Sequence, residues 1–171
     1  SYLKIYGGIY MTQEHFYFLK DEYCEKYGTY GVMKNKENID GQEHKRPCFY
    51  AIKDRIDDIY WMIPISSQIT KYQNGLNQKL QKYPVYDGLE FGYVRGRYAA
   101  FLLQNLCPVT EEYIAEEYIG RNTNKPVIVN SNAIKNKIRK KANKLIQLTK
   151  QGKKVTITNA SEIYRDLLED N

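Results

Sequence analysis

The chain has 171 residues, 42% of them hydrophobic, so it can form one domain with a buried core, and wholesale disorder is excluded. Its net charge of +6 at pH 7 is unevenly placed. Residues 121–161 contain eleven Lys or Arg and no Asp or Glu, whereas the rest of the chain has a net charge of −5. A positive field confined to one segment attracts polyanions, so nucleic acid is the leading partner and an anionic membrane surface the second.

The cysteine and tyrosine content indicates the cellular compartment of the protein and the kind of surface it exposes. Cys24, Cys48 and Cys107 are widely separated, lack metal-ligand spacing and lie in apolar contexts, so we expect buried free thiols in a reducing cytosol. No apolar run reaches membrane-spanning length and no signal peptide is visible, so we expect a cytoplasmic protein without a membrane partner. Many of the 17 tyrosines are expected to be partly exposed, which suits base stacking or protein interfaces.

The N-terminal part of the chain predicts a strand, a helix and a long loop. Alternation predicts a strand over residues 2–6, and Thr12 is expected to cap a helix over residues 13–26. His15 lies off the apolar stripe of that helix, so we expect a solvated surface histidine. Residues 28–41 have little periodicity and predict a mobile loop of a length that is often functional. Three potential cations follow this loop and precede the next strand: His44, Lys45 and Arg46.

The most informative stretch predicts a β-hairpin. Two aromatic and β-branched runs, residues 46–53 and 59–67, flank a five-residue polar connection. Pro64 is expected to end the ladder of the second run or to turn it to an edge. Ser66 and Ser67 follow it, just before a helix predicted over residues 69–81. Hydroxyls, the free amides of the helix start and the Lys71 ammonium would converge on one spot, which suits a phosphate group. The alternative interpretation is a helix N-cap with a surface lysine.

The second half of the chain predicts three strands and three helices, with one short β-like run between them. The strands are expected over residues 85–94 and 98–106, and a helix is expected from residue 110 to Gly120. Its four glutamates suit a solvated face or a partner for the basic segment better than a metal site: Glu111, Glu112, Glu116 and Glu117. A β-like run over residues 124–129, a helix over about residues 133–150, a strand over residues 155–158 and a helix over residues 162–168 complete the prediction.

The helix over about residues 133–150 is strongly basic. Its cations spread around everything but the packing stripe, and the helix has no acidic residue at i±4 to pair with them. We therefore expect this helix to contact RNA phosphates, mostly reading shape. The candidate RNA-binding residues are Lys45, Lys135, Lys137, Arg139, Lys140, Lys144, Lys153 and Lys154.

The central hairpin carries a resemblance to a known family. Residues 46–53 (RPCFYAIK), residues 60–67 (YWMIPISS) and Lys71-Tyr72 together resemble the toxins of type III toxin–antitoxin systems, the ToxN/AbiQ group, and within it the CptN-like branch. The resemblance implies an α+β fold with a strongly twisted, partly open antiparallel β-sheet or barrel and flanking helices, similar to MazF/Kid-type ribonuclease toxins. It implies a single sequence-specific endoribonuclease domain over residues 1–171, which needs no metal or other cofactor.

The resemblance also implies partners and a biological role. The enzyme would cleave mRNA, would process a folded repeat antitoxin RNA and be held inactive by it in a closed protein–RNA hetero-oligomer, and would act in phage abortive infection. Residue by residue, Pro64, Ser66 and Ser67 match the family's P-x-[ST]-S motif. The family's lysine, two positions after the second hydroxyl, falls on Ile69, and Lys71 lies half a turn further along. Lys45 or Arg46 takes the place of a basic residue before the earlier strand.

A metal-independent mechanism assigns roles to these residues. The ribose 2′-hydroxyl would attack its own phosphate and leave a 2′,3′-cyclic phosphate and a 5′-hydroxyl. Ser66 and Ser67 would hold the phosphate oxygens, while Lys71 and Arg46 (or Lys45) would stabilise the developing charge. His44 is the candidate acid or base because histidine titrates near neutrality. The competing hypothesis is a non-catalytic RNA-binding or ribosome-associated protein. A peripheral membrane module is a weaker third, because the basic helix lacks an apolar face rich in Trp and Phe.

Overall fold

The computed structural model describes residues 9–170, so the strand predicted over residues 2–6 lies outside the described residues. Nine strands and four α-helices lie within that range. They are β1 (Phe16–Leu19), α1 (Asp21–Lys26), β2 (Lys36–Ile39), β3 (Gln42–Lys45), β4 (Cys48–Lys53), β5 (Tyr60–Ser66), α2 (Ile69–Lys82), β6 (Glu90–Val94), β7 (Arg97–Phe101), β8 (Cys107–Val109), β9 (Ile114–Glu117), α3 (Asn132–Lys150) and α4 (Ala160–Glu169).

Seven strands form one antiparallel sheet around β5. The strand order is β6-β7-β5-β4-β1-β9, and β8 also pairs with β5, while β2 and β3 form a separate hairpin. All seven residues of β5 are buried, and the strand has pairing partners on both edges. Within residues 9–170 the sheet is not closed, but Arg95 at the β6–β7 turn donates a 2.7 Å hydrogen bond to the Tyr118 hydroxyl just after β9. The two ends of the strand order therefore approach each other, which confirms the predicted α+β class and partly open sheet.

Helix α2 covers one face of the sheet at its β6–β7 end. In an antiparallel sheet, directly opposed residues point to the same side. Ser66, Ala100 and Phe91 are opposed in turn across β5, β7 and β6. Tyr72 of α2 belongs to the same buried cluster as Phe91 and Ala100. Ser66 therefore lies on the face that α2 covers.

Helix α3 covers the opposite face of the same strands. Gly92 alternates with Phe91 along β6 and therefore points to the other side. A Cβ added at Gly92 would lie only 2.9 Å from Ile134 Cγ2 at the start of α3, so the glycine permits close packing of helix on strand. Lys141 of α3 also lies on this side, with its Nζ 2.9 Å from the carboxylate of Glu90. The basic helix and Ser66 are thus separated by the sheet.

Two predicted helices are wrong because distant strands pair there. The helix expected over residues 13–26 is strand β1 followed by the short helix α1, and Phe16 and Tyr17 are both fully buried. A strand buried on both faces has a continuous apolar run, which periodicity alone does not separate from a helix. The helix expected over residues 110–120 is a 3₁₀ turn (Glu111–Tyr113) followed by β9, which pairs with β1.

Three further predictions are corrected by the structure. The loop expected over residues 28–41 contains a 3₁₀ turn (Gly28–Tyr30) and β2, and β2 pairs with β3. Residues 155–158 form no strand; the backbone amide of Ile157 instead donates to the Gln104 carbonyl at 2.7 Å. The last helix begins at Ala160, after Asn159 rather than Ser161.

Local signals placed the remaining elements well. The hairpin of β4 and β5, helix α2 and helix α3 are confirmed, with small shifts of their ends. Helix α3 begins as expected for a serine cap, since the Ser131 side chain accepts a hydrogen bond from the Ile134 amide. The strands expected over residues 85–94 and 98–106 are present as the shorter β6 and β7. None of the helices within residues 9–170 has the length and apolarity needed to span a membrane.

Candidate active site at the end of strand β5

Two serines at the end of β5 have different surroundings. Ser66 is only 2% exposed, whereas Ser67 is exposed. The Ser66 Oγ donates to Glu37 Oε1 at 2.5 Å and accepts a hydrogen bond from the Gln68 amide at 3.1 Å. The proton of Ser66 is therefore already used inside the protein, and Ser67 carries the accessible hydroxyl. The N-cap of α2 is Gln68, whose side chain makes no capping bond, so the simple serine N-cap left open by the sequence is not formed.

Arg46 is held beside the same carboxylate. The residue is 8% exposed, and its guanidinium donates to the Ile65 carbonyl at 3.0 Å and to the Lys34 carbonyl at 3.2 Å. Its Nη1 also lies 3.8 Å from Glu37 Oε1. A buried cation and a buried carboxylate are tolerated only when paired, so Arg46, Glu37 and Ser66 form one connected network.

The β2–β3 hairpin supplies Glu37 and also positions His44. These two residues are directly opposed in the hairpin register, and opposed side chains on antiparallel strands have Cβ atoms about 4.5–5.5 Å apart on the same side. Glu37 is 7% exposed and His44 is exposed. The predicted acid or base therefore lies at the solvent edge of the network that holds Ser66 and Arg46.

Glu37 was missed from the sequence because its segment was predicted to be a loop. One signal could have found it. Asp40-Gly41 separates two four-residue runs, and an Asp-Gly pair is a strong signal for a two-residue hairpin turn. Both residues have the positive φ values of a type I′ turn, 51° and 79°. Recognising that turn would have placed Glu37 opposite His44.

Helix α2 contributes Lys71 and Tyr72. Lys71 is exposed, and its Nζ lies 5.3 Å from the centre of the Tyr72 ring. Tyr72 is 9% exposed, and burial raises the pKa of its hydroxyl; the Arg46 cation opposes this shift and the Glu37 carboxylate adds to it. The phenol is therefore within electrostatic reach of the network under Ser66. Lys71 provides a positive charge at the surface of the site and Arg46 one below it.

The eight predicted RNA-binding residues do not form one free surface. Three of them are held in ion pairs within the chain: Lys45 with Glu116, Arg139 with Glu14 and Lys144 with Asp87. The other five have no carboxylate partner among residues 9–170: Lys135, Lys137, Lys140, Lys153 and Lys154. Helix α3 itself has no acidic residues, but other elements supply carboxylates that pair with its cations. A search for i±4 partners within the helix cannot reveal such pairs.

The glutamates near β9 also have partners other than those expected. Glu116 contacts Lys45, which lies outside the basic segment, and Glu117 Oε1 lies 2.7 Å from His15 Nδ1. His15 is therefore paired and only partly exposed rather than a solvated surface residue. Within the described range, no group of three or more His, Cys, Asp or Glu side chains is arranged to hold a metal ion.

The three cysteines line a small cavity beneath Arg46. All are free; Cys48 and Cys107 are buried, as expected, whereas Cys24 is half-buried. Burial raises the pKa of the Cys107 thiol to about 12 and of the Cys24 thiol to about 11, and it raises the pKa of Cys48 well above its ordinary value. These thiols are protonated at neutral pH and are unsuited to nucleophilic chemistry.

No protein-family model and no curated protein matches the chain. A solved structure does match, that of AbiQ, described as a lactococcal anti-phage endoribonuclease belonging to the type III toxin–antitoxin system. The match covers 93% of this chain and 98% of that chain with a TM-score of 0.63. The chain has the fold of AbiQ. The two sequences are 11% identical, so the likeness establishes the fold, and the activity has to be argued from the site. The CptN-like branch stays a prediction.

Proposed function

We propose that this protein is an endoribonuclease toxin of a type III toxin–antitoxin system. The observation that carries the proposal is the convergence at the end of β5. Ser66, Arg46 and His44 come from sequence positions up to 22 residues apart, and they lie around one buried carboxylate, Glu37, with the exposed Ser67 directly after Ser66. AbiQ, which has the same fold, is described as an endoribonuclease of this kind.

The proposed reaction is a transesterification within the RNA chain. The ribose 2′-oxygen attacks the adjacent phosphorus, the bond from phosphorus to the 5′-oxygen breaks, and the products are a 2′,3′-cyclic phosphate and a 5′-hydroxyl. One group must take the proton from the 2′-hydroxyl and one must give a proton to the leaving oxygen. Donors must also stabilise the extra negative charge on the phosphate as it forms. The proposal needs no metal ion for these steps.

Ser67, rather than Ser66, is assigned to direct contact with the phosphate. The Ser67 hydroxyl is exposed at the start of α2, where free amides and the helix dipole favour an anion. Lys71 adds an exposed positive charge. Ser66 acts as a positioning residue, because its hydroxyl joins Glu37 to the Gln68 amide and so holds the turn that presents Ser67. Arg46 contributes its charge from below the surface.

His44 is assigned to proton transfer, with Glu37 as its positioning residue. The imidazole lies opposite Glu37 at the edge of the network and is exposed, so substrate can reach it. The carboxylate beside it can orient the ring, as acidic partners of catalytic histidines do.

The cations of α3 without a carboxylate partner among residues 9–170 are assigned to the antitoxin RNA rather than to the scissile nucleotides. Lys137 and Lys140 lie on α3, which packs on the sheet face opposite Ser66. One short RNA segment cannot touch both faces, so a folded repeat RNA would contact α3 of one protein and the site of another. Such bridging fits a closed protein–RNA hetero-oligomer in which the antitoxin is also processed. These partners, mRNA cleavage and a role against phage belong to the proposal.

The test is to express the wild type and Ser67→Ala and to map RNA ends. We expect new ends with a 2′,3′-cyclic phosphate in the wild type, and a loss of about 10²–10³-fold in cleavage by Ser67→Ala if the hydroxyl acts as an oxyanion-type donor. Thr29→Ala, which removes another exposed hydroxyl, is the matched control and should cleave normally. Growth arrest by the wild type without new RNA ends would refute the nuclease.

That negative result would favour a second candidate, a non-catalytic RNA-binding or ribosome-associated protein. The observation behind it is that the α3 cations without a carboxylate partner among residues 9–170 lie on a helix that packs on the sheet face opposite Ser66. A purely binding protein could use that face alone. In that case the wild type and the Ser67→Ala variant should inhibit growth equally.

A further inference from the structure

We propose that Tyr93 and Tyr98, on the β6–β7 hairpin, form a stacking subsite for the bases of single-stranded RNA beside Ser67. The choice of RNA as occupant rests on the proposed function. The subsite goes beyond it by naming where nucleotides next to the scissile phosphate lie.

The strand register places both tyrosines next to the site. Ser66 is opposed to Ala100 in antiparallel register, so the hairpin continues past the end of β5 on the side of Ser67. Tyr98 lies two residues before Ala100, and Tyr93 is opposed to Tyr98 on β6. From a rise of about 3.4 Å per residue and a strand spacing of about 4.8 Å, the Cα atoms of Tyr98 and Tyr93 lie roughly 8 Å and roughly 12 Å from that of Ser66.

Both rings project on the face that carries Ser66. Residues two apart on one strand share a face, as do residues directly opposed on neighbouring strands. Tyr98 therefore shares the face of Ala100 and Ser66, and Tyr93 shares the face of Tyr98. The rings are ordered from the interior outward, because Tyr98 stacks on the buried Phe91 at 6.0 Å with an interplanar angle of 10°.

The rings of Tyr98 and Tyr93 are open to solvent. Tyr98 is 39% exposed and Tyr93 is 66% exposed, and their ring centres lie 5.0 Å apart. A base that stacked on Tyr93 would cover apolar surface that now faces water, and every base has a face suited to it. The inner neighbours of the pair hold the rings in place, so little side-chain freedom would be lost on binding.

The charge of the hairpin complements RNA. From Phe91 to Phe101 it contains Arg95 and Arg97 and no acidic residue. Arg95 is anchored on Tyr118, and Arg97 is exposed. Lys71, four residues after Ser67 in the first turn of α2, adds an exposed positive charge. Aromatic faces flanked by cations are the usual means of holding single strands without sequence preference. The cross-strand pair also stabilises the hairpin, so the test must separate base stacking from folding.

The experiment measures binding without cleavage. Fluorescence anisotropy is recorded for the full chain with a short labelled 2′-O-methyl oligoadenylate, which has no free 2′-hydroxyl to attack. A second probe is an abasic phosphodiester of equal length, which keeps the charge and lacks the bases. Tyr93→Ala is compared with Tyr93→Phe and with Tyr83→Ala, a control tyrosine of similar exposure (54%) at the far end of α2. Thermal melts check that each variant is folded.

We expect Tyr93→Ala to raise the Kd for oligoadenylate at least about fivefold, the lower end for one base–aromatic stack. Tyr93→Phe and Tyr83→Ala should stay within about twofold of the wild type, and the abasic probe should bind all variants alike. An unchanged Kd in Tyr93→Ala overturns the subsite. So does an equal loss for both probes, a Tyr93→Phe that behaves like Tyr93→Ala, or a wild type that does not bind oligoadenylate.

These outcomes separate the subsite from the nuclease. RNA ends produced by the wild type, together with unchanged binding by Tyr93→Ala, would remove the subsite and leave the nuclease. Base-dependent loss of binding in a protein that produces no RNA ends would support the subsite and remove the nuclease.

Discussion

Helix α3 and the junction between β5 and α2 were both predicted to meet RNA, and they differ in how their charges are used. Helix α3 has seven cations, and four of them form ion pairs with carboxylates of other elements: Arg139 with Glu14, Lys141 with Glu90, Lys144 with Asp87 and Lys150 with Asp54. The junction has fewer charges, but Arg46, Glu37 and Ser66 are connected and buried. A count of cations therefore overestimates the positive electrostatic field of α3. The same count misses the buried network of Arg46, Glu37 and Ser66 at the junction.

The difference has a physical cause. Exposed ion pairs form wherever long side chains meet and contribute little, so their partners are hard to foresee. A buried carboxylate must be satisfied, and its partners are therefore few and specific. Changes at the junction should have large effects, and changes on α3 should be small and salt-dependent.

The largest effect is expected from Glu37→Ala. The substitution leaves the Arg46 cation buried without its carboxylate, which typically costs about 3–5 kcal/mol when one partner of a buried pair is lost. Urea unfolding should show a much lower midpoint. Glu43→Ala removes an exposed carboxylate of the same hairpin and should change the free energy of unfolding by less than about 1 kcal/mol. Equal midpoints for the two variants would contradict the network.

Lys71→Ala should have the next largest effect, and it should lower cleavage without changing the stability of the fold. If the ammonium stabilises the phosphate charge, the cleavage rate should fall by about 10²-fold with an unchanged melting temperature. Lys79→Ala, two turns further along α2, is the control and should cleave like the wild type. A normal cleavage rate in Lys71→Ala would contradict the role of Lys71 in stabilising the phosphate charge at Ser67.

Two lysines of α3 provide a smaller, internal comparison. Lys140 has no carboxylate partner among residues 9–170, whereas Lys144 lies 2.7 Å from Asp87. If α3 contacts phosphates, Lys140→Ala should lower the slope of log Kd against log salt by about 1 for a folded repeat RNA. Lys144→Ala should lower it less, because Asp87 already offsets that charge. Identical slopes in the wild type and Lys140→Ala would remove α3 from the RNA interface.

The smallest effect at neutral pH comes from the cavity beneath Arg46. The pKa of Cys107 is raised from 9.0 to about 12, so above pH 9 the unfolded thiol loses a proton that the native protein keeps. The native state then binds more protons, and the free energy of unfolding must fall as pH rises from 9 toward 12. Cys107→Ala should flatten this fall in melts recorded across that range. An unchanged pH dependence would contradict the burial of the thiol.

The sequence was most informative where partners are close along the chain. Strands β4 and β5 pair through a short turn, so aromatic runs and polar turn residues were enough to find them. Strands β1 and β9 were read as helices because their pairing joins Phe18 to Glu116, far apart in sequence. The site residues Ser66, Ser67 and Arg46 border the well-predicted hairpin, whereas Glu37 and Tyr72 became candidates only through contacts with it.

By itself the sequence determined that a buried hairpin ends in two hydroxyls before a helix, and that a later helix is basic, since both follow from local pattern. Only the tertiary structure decided that the Ser66 side chain and helix α3 lie on opposite faces of one sheet. It also decided that the Ser66 hydroxyl is enclosed by Glu37. The physical reason is that side-chain direction in a sheet depends on register with other strands. Register joins residues from distant parts of the chain, and so do the ion pairs that use up the charge of α3.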